Sequence, residues 1–314
     1  VSYDEGIESI RNDLREGFAE AQKRLPPKYF YDERGSHLFD EITRLPEYYL
    51  TRIERGLLRN VIPEIVGVYR PTTLSELGAG AASKTRIILD AMIGAGCGQY
   101  YHPIDLSAEF LTASARSLEA EYSGLCVEPV VADFTRWLPP PTATNGAVLH
   151  AFLGSTLGNL ELGEAIALLS RVRTHLRGGD RFLLGVDLQK SVEVIEAAYN
   201  DSRGVTAEFN LNILRVMNRE LGADFDLDAY RHHAFYDPMK TRVEMHLISE
   251  RRQRVYVPKV GAYEIEEGES IRTEISRKYD RDQLETLLCA AGLELEGWWT
   301  DPDTYFALVL AAPR

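Results

Sequence analysis

The stretch Thr73 to Met92, TLSELGAGAASKTRIILDAM, limits what this chain can fold into more than any other part of it. A short apolar run with Leu74 and Leu77 ends in Glu76-Leu77-Gly78-Ala79-Gly80, and a periodic segment with Ile87, Ile88, Leu89 and Met92 follows. Strand, glycine turn and helix in that order open a nucleotide-binding α/β sheet. Gly78 and Gly80 reach backbone angles closed to residues with a Cβ, so the turn is able to press its amides against a ligand. Ser83 is the expected N-cap of the helix behind it.

A lone G-x-G is weak, and two rivals share it. A dinucleotide fingerprint wants a third glycine where this chain has Ser83, and a Walker A loop would fit Gly78 and Lys84-Thr85 but fails at the same position. The strand ends downstream separate the rivals. Asp105 closes the run Tyr100-Tyr101-His102-Pro103-Ile104, which puts a carboxylate where a ribose diol would lie. Asp133-Phe134 closes a third run from Cys126 to Ala132 and offers an acid and an aromatic for an adenine. Three ligand-facing strand ends suit an adenosine without a phosphate chain, and S-adenosylmethionine is the leading candidate. The bland rival is an α/β sheet with ordinary turns.

From Thr73 onward strands and helices alternate: strand, helix (83–94), strand (99–105), helix (107–122), strand (125–133), strand (146–153), helix (161–176), strand (180–188). That alternation predicts a parallel, doubly wound sheet with right-handed crossovers. Before it, Ile7, Ile10, Leu14 and Phe18 mark an amphipathic helix over 4–23, stopped by Pro26-Pro27. An aromatic knot (Lys28-Tyr29-Phe30-Tyr31-Asp32), a helical run from Ser36 to Thr43, a tyrosine-rich turn at 45–49 and a helix over about 51–66 complete that part. After Leu188 come longer helices (190–200, 208–220), then strand-like alternation from Val243 to Arg251 and from Arg254 to Val260. The chain ends on helix (281–291), strand (293–299) and strand (304–311), like the reversed hairpin that finishes a seven-stranded methyltransferase sheet. The fold expected is therefore a Rossmann-like α/β methyltransferase domain over 54–188 and 279–314. Segments 1–53 and 189–278 are expected to form a smaller α+β substrate-binding lobe over the carboxyl edge of the sheet, where clefts of open α/β sheets lie.

Composition narrows the partners. Over 314 residues the formal net charge is −13, which argues against nucleic acid or an anionic membrane, both of which need a basic footprint. No apolar run approaches ~18 residues, so no membrane span is expected. The first residues, VSYDEGIESIRNDL, lack the basic-then-apolar order of a secretory signal, and the start at Val1 points to a processed or trimmed end. Three scattered cysteines (Cys97, Cys126, Cys289) read as buried thiols in a reducing compartment, and a cytoplasmic location is expected; a monomer is also expected.

Several candidate sites fall on inspection. Asp224-Phe225-Asp226-Leu227-Asp228 has Ala229 where a calcium loop needs glycine and Phe235 where it needs glutamate, and reads as a solvated acidic turn. His232-His233 are adjacent, point to different faces and lack a third ligand at matching spacing; a surface pair is expected and no metal. Ser155 lies in no nucleophile elbow. More weight falls on Phe152 to Leu160 (FLGSTLGNL), which follows the fourth strand at the edge where methyl transfer would occur. Small residues there allow close approach, and Asn159 offers a donor and an acceptor, though an asparagine satisfying its own turn fits equally well. In Thr273-Glu274-Ile275-Ser276, strand alternation puts Glu274 and Ser276 on one face, a carboxylate and a hydroxyl able to grip the two nitrogens of a ring such as imidazole. Alone, an exposed sheet face is the simpler reading.

Taken together, Phe30-Tyr31-Asp32, the run Ile42 to Tyr49 (ITRLPEYY), Glu76-Leu77-Gly78, Ser83-Lys84-Thr85-Arg86, Phe152 to Leu160, Asn218-Arg219-Glu220-Leu221, Asp224 to Asp228 and Trp298-Trp299-Thr300-Asp301 resemble the L-histidine Nα-methyltransferases of ergothioneine biosynthesis. The resemblance runs in order from about residue 25 to the C-terminus. It implies that Gly78, Lys84, Asp105, Asp133 and Phe134 hold S-adenosylmethionine, alongside Gly80 of the turn. It implies that Tyr48, Asn159, Tyr199, Glu274 and Ser276 hold L-histidine, with Tyr31 lining the pocket and Met245 beside the imidazole. Tyr48 and Asn159 are the catalytic candidates. Leu50 stands where relatives carry proline and Ala79 where they carry serine, neither expected to touch the chemistry.

The reaction so implied is trimethylation of the histidine α-amine to hercynine, with S-adenosylhomocysteine as the other product and no metal. Two rivals stay open: the same fold acting on another amino acid such as tryptophan, and a non-catalytic nucleotide-binding protein. Glu274 separates the first, because a carboxylate suits an imidazole N–H and not an indole pocket.

Overall fold

Contacts divide the chain into two units, each built from separate segments: residues 50–190 with 277–314, and residues 1–49 with 191–276. The computed structural model describes residues 3–80, 82–106, 108–142 and 145–314. Its helices are α1 (Tyr3–Ala19), α2 (Glu33–Ile42), α3 (Leu50–Tyr69), α4 (Thr85–Gly94), α5 (Ala108–Glu121), α6 (Leu162–His175), α7 (Val192–Tyr199), α8 (Val205–Leu221) and α9 (Arg281–Ala290). Its strands are β1 (Thr73–Leu77), β2 (Tyr100–Asp105), β3 (Cys126–Val127), β4 (Val130–Val131), β5 (Val148–Phe152), β6 (Arg181–Asp187), β7 (Tyr230–Asp237), β8 (Arg242–Ser249), β9 (Gln253–Val257), β10 (Gly261–Ile265), β11 (Ser270–Arg277), β12 (Leu293–Thr300) and β13 (Phe306–Pro313). Ser107, where the sequence places the start of a helix, lies outside the described residues.

The larger unit carries one sheet in the order β12-β13-β6-β5-β1-β2-β3, with β4 also paired to β2. β1 is parallel to both β2 and β5, and β13 is antiparallel to β6 and to β12. This is the class I methyltransferase sheet with its reversed final hairpin. The third strand departs from expectation. The single run to Ala132 breaks into β3 and β4 around Pro129, which has no N–H for the ladder, and both pieces share one position beside β2. Asp133 therefore follows a strand two residues long.

Sequential order reverses between β1 and β5, whose carboxyl ends lie side by side, and ligands of open α/β sheets bind at such a switch point. Leu77, Ile104, Phe152 and Leu184 from the strands pack with Leu168 and Leu169 of α6 and Leu284 and Leu288 of α9 in one buried cluster. Caps fix where those two helices start. Glu164 accepts from the amide of Glu161 at 2.9 Å, and Asp280 accepts from the amide of Gln283 at 2.8 Å. α4 begins differently from expectation: its first helical residue is Thr85, and Lys84, not Ser83, holds the cap position.

The smaller unit has a three-stranded sheet, β11-β8-β7, and a hairpin of β9 and β10. α8 lies between two left-handed glycines, Gly204 and Gly222, and buries Phe209, Ile213 and Met217. β7 and β10 are not among the strands expected from alternation: β7 runs through polar Arg231, His232 and His233 in succession, and β10 buries Ile265 alone. β7 nevertheless pairs along its length with β8, setting His233 against His246 and Ala234 against Met245. No described helix is long and apolar enough to cross a membrane. Cys97 is buried as expected, whereas Cys126 and Cys289 are exposed.

Candidate active site

In the sheet unit the glycine turn follows β1 directly. Gly78 (φ +69°) and Gly80 (φ +49°) both take left-handed angles. The Gly78 amide donates to the carbonyl of Ile104 at 2.8 Å, and the Gly80 amide donates to Oδ2 of Asp105 at 3.0 Å, so the turn and the end of β2 are joined. Among the described residues, a Cβ on Gly80 would meet nothing within 4 Å, and one on Gly78 would meet the edge of Phe134, at 3.8 Å. The turn is bordered on one side by that ring. Phe134 stands edge-on to Phe152 at 5.4 Å, and the carboxylate of Asp133 accepts from the amide of Thr135 at 3.1 Å and from its hydroxyl.

The loop after β5 is bent sharply by Gly154 (φ +80°) and Ser155 (φ +59°), two left-handed residues in succession. A non-glycine residue there is strained, and the strain is held by two hydrogen bonds. The Ser155 amide donates to the carbonyl of Gly185 at 3.1 Å, and the Ser155 hydroxyl accepts from the amide of Asp187 at 2.9 Å. One 3-10 turn, Thr156–Asn159, then delivers Asn159, half-buried, at the end of the loop.

Glu54 of α3, which the sequence reading did not single out, organises this edge. Its Oε1 accepts from the Gly154 amide at 2.7 Å and its Oε2 meets Lys84 Nζ at 2.8 Å. The partly exposed Lys84 is thus paired with a buried carboxylate, unlike the lysine a Walker loop turns to phosphates. A signal for Glu54 exists: it sits on the stripe Leu50, Leu57, Leu58 and Val61, a carboxylate among apolar positions at helical spacing. A glycine turn tied to a carboxylate at the end of β2, with an aromatic ring beside it, fits an adenosine ligand.

In the smaller unit the tyrosines form a chain of edge-to-face contacts. Tyr31 meets Phe39 at 5.6 Å, Phe39 meets Tyr48 at 6.2 Å, and Tyr48 meets Tyr199 at 6.5 Å. The Tyr199 hydroxyl and Ser276 Oγ are hydrogen-bonded at 2.8 Å. Thr273, Glu274, Ile275 and Ser276 are all buried, so β11 does not present the exposed face that its alternation alone suggested. Met245 is buried on β8, its carbonyl oxygen 3.1 Å from the Thr273 hydroxyl. Tyr48, Tyr199 and Ser276 are thereby joined by contact, with Glu274 on the face of β11 that carries Ser276.

The pair His232-His233 is not a surface pair. His233 is exposed and stacks on Phe235 at 5.4 Å, but the ring of His232 is half-buried, 2.9 Å from the Tyr199 carbonyl and 2.8 Å from the Asn210 amide. Burial holds His232 below the usual histidine pKa. The acidic turn Asp224–Asp228 is exposed at its three aspartates, and Asp226 caps the short turn that follows.

Comparison with known proteins follows the same lines. The profile of the family described as "Histidine-specific methyltransferase, SAM-dependent" matches residues 10–313. A histidine N-alpha-methyltransferase from Mycobacterium tuberculosis is 44% identical over 99% of this chain and 97% of its own length. Ergothioneine biosynthesis protein 1 from Neurospora crassa is 30% identical over 93% of this chain, which covers 33% of that longer protein. Among solved structures, an S-adenosylmethionine-dependent methyltransferase from Clostridium acetobutylicum shares the fold, with a TM-score of 0.50 at 13% identity over 89% of this chain and 98% of that one. This chain belongs to the S-adenosylmethionine-dependent, histidine-specific methyltransferase family.

Proposed function

We propose that the protein methylates the α-amine of L-histidine in three successive transfers, giving hercynine for ergothioneine biosynthesis. S-adenosylmethionine, when bound, supplies an electrophilic methyl group on its sulfonium and departs as S-adenosylhomocysteine. The Gly78–Gly80 turn, Asp105, Asp133 and Phe134 hold its adenosine, and Lys84, with Glu54 behind it, faces its amino-acid end. Tyr48, Tyr199 and Asn159 orient the amine and carboxylate of histidine. Glu274 and Ser276 choose the ring, one accepting from an imidazole N–H and the other donating to the second nitrogen, while Tyr31 and Met245 flank it.

The observation that carries this reading is the buried face of β11: Glu274 and Ser276 two residues apart, with the Tyr199 hydroxyl on Ser276 at 2.8 Å. A carboxylate, which accepts, and a hydroxyl, which can donate, on one buried face match the N–H and the bare nitrogen of an imidazole ring. Catalysis rests mainly on alignment, with nitrogen and methyl carbon held about 3–3.5 Å apart. The amine attacks only as the free base, so its surroundings disfavour the ammonium or pass its proton to water. The faces of Tyr31 and Tyr48 then tolerate the quaternary ammonium that forms. The three cysteines, none in a disulfide, suit a reducing compartment, and a cytoplasmic reaction is part of this reading.

The test is purified protein with S-adenosylmethionine and an equimolar mixture of amino acids, read by mass spectrometry. Histidine alone should gain methyl groups. Methylated tryptophan in its place would overturn the substrate, and calorimetry showing preference for ATP over S-adenosylmethionine would overturn the chemistry.

A further inference from the structure

One buried amide ties four elements of the smaller unit together. Asn210 of α8 has no exposed surface. Its Nδ2 donates to the backbone carbonyl of His246 on β8 at 3.0 Å, which fixes the orientation of the amide. Its Oδ1 accepts from the hydroxyl of Thr273, the neighbour of Glu274 on β11, at 2.6 Å. The same Nδ2 lies 2.8 Å from Nδ1 of His232 on β7.

These contacts leave the imidazole one state. Nδ2 is a donor, so Nδ1 of His232 accepts and carries no proton. Nε2 lies 2.9 Å from the carbonyl oxygen of Tyr199, which only accepts, so Nε2 carries the proton. His232 is a neutral bridge in a single tautomer. Tyr199, the last residue of α7, is consequently held at both ends, its carbonyl by His232 and its hydroxyl by Ser276.

We propose that His232, oriented by Asn210, is a positioning residue for the amino-acid substrate, setting the Tyr199 ring against Ser276 and Glu274. The role rests on the methyltransferase reading for what the site holds; the bridge itself does not. A displacement of about 1 Å at a group that orients a substrate is enough to cost up to ~100-fold in rate. His232 reaches the substrate only through Tyr199, so its loss should act on the amino acid and spare S-adenosylmethionine.

The experiment compares wild type, His232→Phe and His232→Gln in the full chain. His232→Phe removes the bridge, whereas the glutamine amide keeps an N–H for the Tyr199 carbonyl. His232→Phe should raise KM for histidine about tenfold, with KM for S-adenosylmethionine within about twofold, and His232→Gln should recover most of the loss. In wild type, nitrogen NMR of the ring should find the proton on Nε2 at neutral pH. Equal rises in both KM values, an unchanged KM for histidine, no recovery in His232→Gln, or a proton on Nδ1 would each overturn the role. If His232→Phe does not fold, the glutamine variant and the NMR decide it. A wild type that methylates no amino acid sinks the functional reading; one that methylates histidine while His232→Phe keeps its KM sinks the positioning role alone.

Discussion

Glu54 and Lys84 form a lopsided ion pair: Nζ and Oε2 are 2.8 Å apart, with the Glu54 side chain 1% exposed and that of Lys84 22% exposed. Removing either partner therefore has unequal consequences. Lys84→Met strands a buried carboxylate with the Gly154 amide for company, and should cost about 3 kcal/mol, at the lower edge for breaking a buried pair. Glu54→Gln leaves an ammonium able to turn to water and should cost about 1 kcal/mol. The double variant should lie between them, showing the coupling expected of residues in contact. Urea unfolding checks the order, and an equal cost for the two single variants would contradict it.

Gly185 on β6 leaves the room that Glu54 occupies. A Cβ there would lie 2.0 Å from Glu54 Oε1 and 3.2 Å from the Phe306 ring. Gly185→Ala should destabilise by about 1–3 kcal/mol through overpacking. Because Glu54 must move, the variant should also bind S-adenosylmethionine more weakly. Thermal unfolding and calorimetry on one preparation test both effects.

Glu274→Ala should raise KM for histidine by about 10- to 100-fold, the loss of a hydrogen bond between a charged group and a buried ring N–H. The Kd for S-adenosylmethionine should not change. Ser276→Ala, losing a neutral partner, should cost less, about fivefold. Steady-state kinetics against each substrate separates the two, and a Glu274→Ala enzyme with wild-type KM for histidine would remove that residue from the site.

Glu76 gives the fold a pH dependence of definite sign. Burial pushes its carboxyl up to about 7, against the hydroxyls of Tyr101 at 2.6 Å and Thr85 at 2.7 Å, which favour the anion. A folded-state pKa above the unfolded value means that the folded chain holds the proton more tightly. The stability this contributes is complete below the unfolded value of 4.5 and is lost as pH rises through about 7. Glu76→Gln, permanently neutral, should lose stability relative to wild type by less at about pH 8 than at about pH 5, the gap narrowing by up to ~3 kcal/mol. His150 acts at the acid end: burial pulls it down to about 4 from 6.5, so its contribution is present above 6.5 and fades as pH falls through about 4. A gap that widens with pH in the urea midpoints of Glu76→Gln would contradict the assignment.

Local signals carried much of the fold into view. β1, its glycine turn and α4 are contiguous, so periodicity and two glycines sufficed. The same reasoning overran at the third strand because Pro129, visible in the sequence, outweighs the apolar residues around it. β7 stayed hidden, since its residues alternate only weakly in burial and its pairing partner β8 supplies the stability. The site divides along the same line. Gly80 and Asp105 sit at strand ends that sequence order alone brings together, and a hydrogen bond joins them. Glu54 left a trace, an acid on an apolar stripe, that only its contacts with Lys84 and Gly154 explain. His232 left none, because its bridge depends on Tyr199, Asn210 and Thr273, each distant from it in the chain.

The most direct measurement uses S-adenosylmethionine with an isotopically labelled methyl group and unlabelled histidine, following the label by NMR in the product of the purified protein. The label is expected on the α-nitrogen alone, accumulating to a trimethylammonium group while both ring nitrogens stay bare. Label on an imidazole nitrogen, or none on histidine under conditions where another amino acid acquires it, would contradict the assignment of Glu274 and Ser276 to the ring and of the tyrosines to the amine.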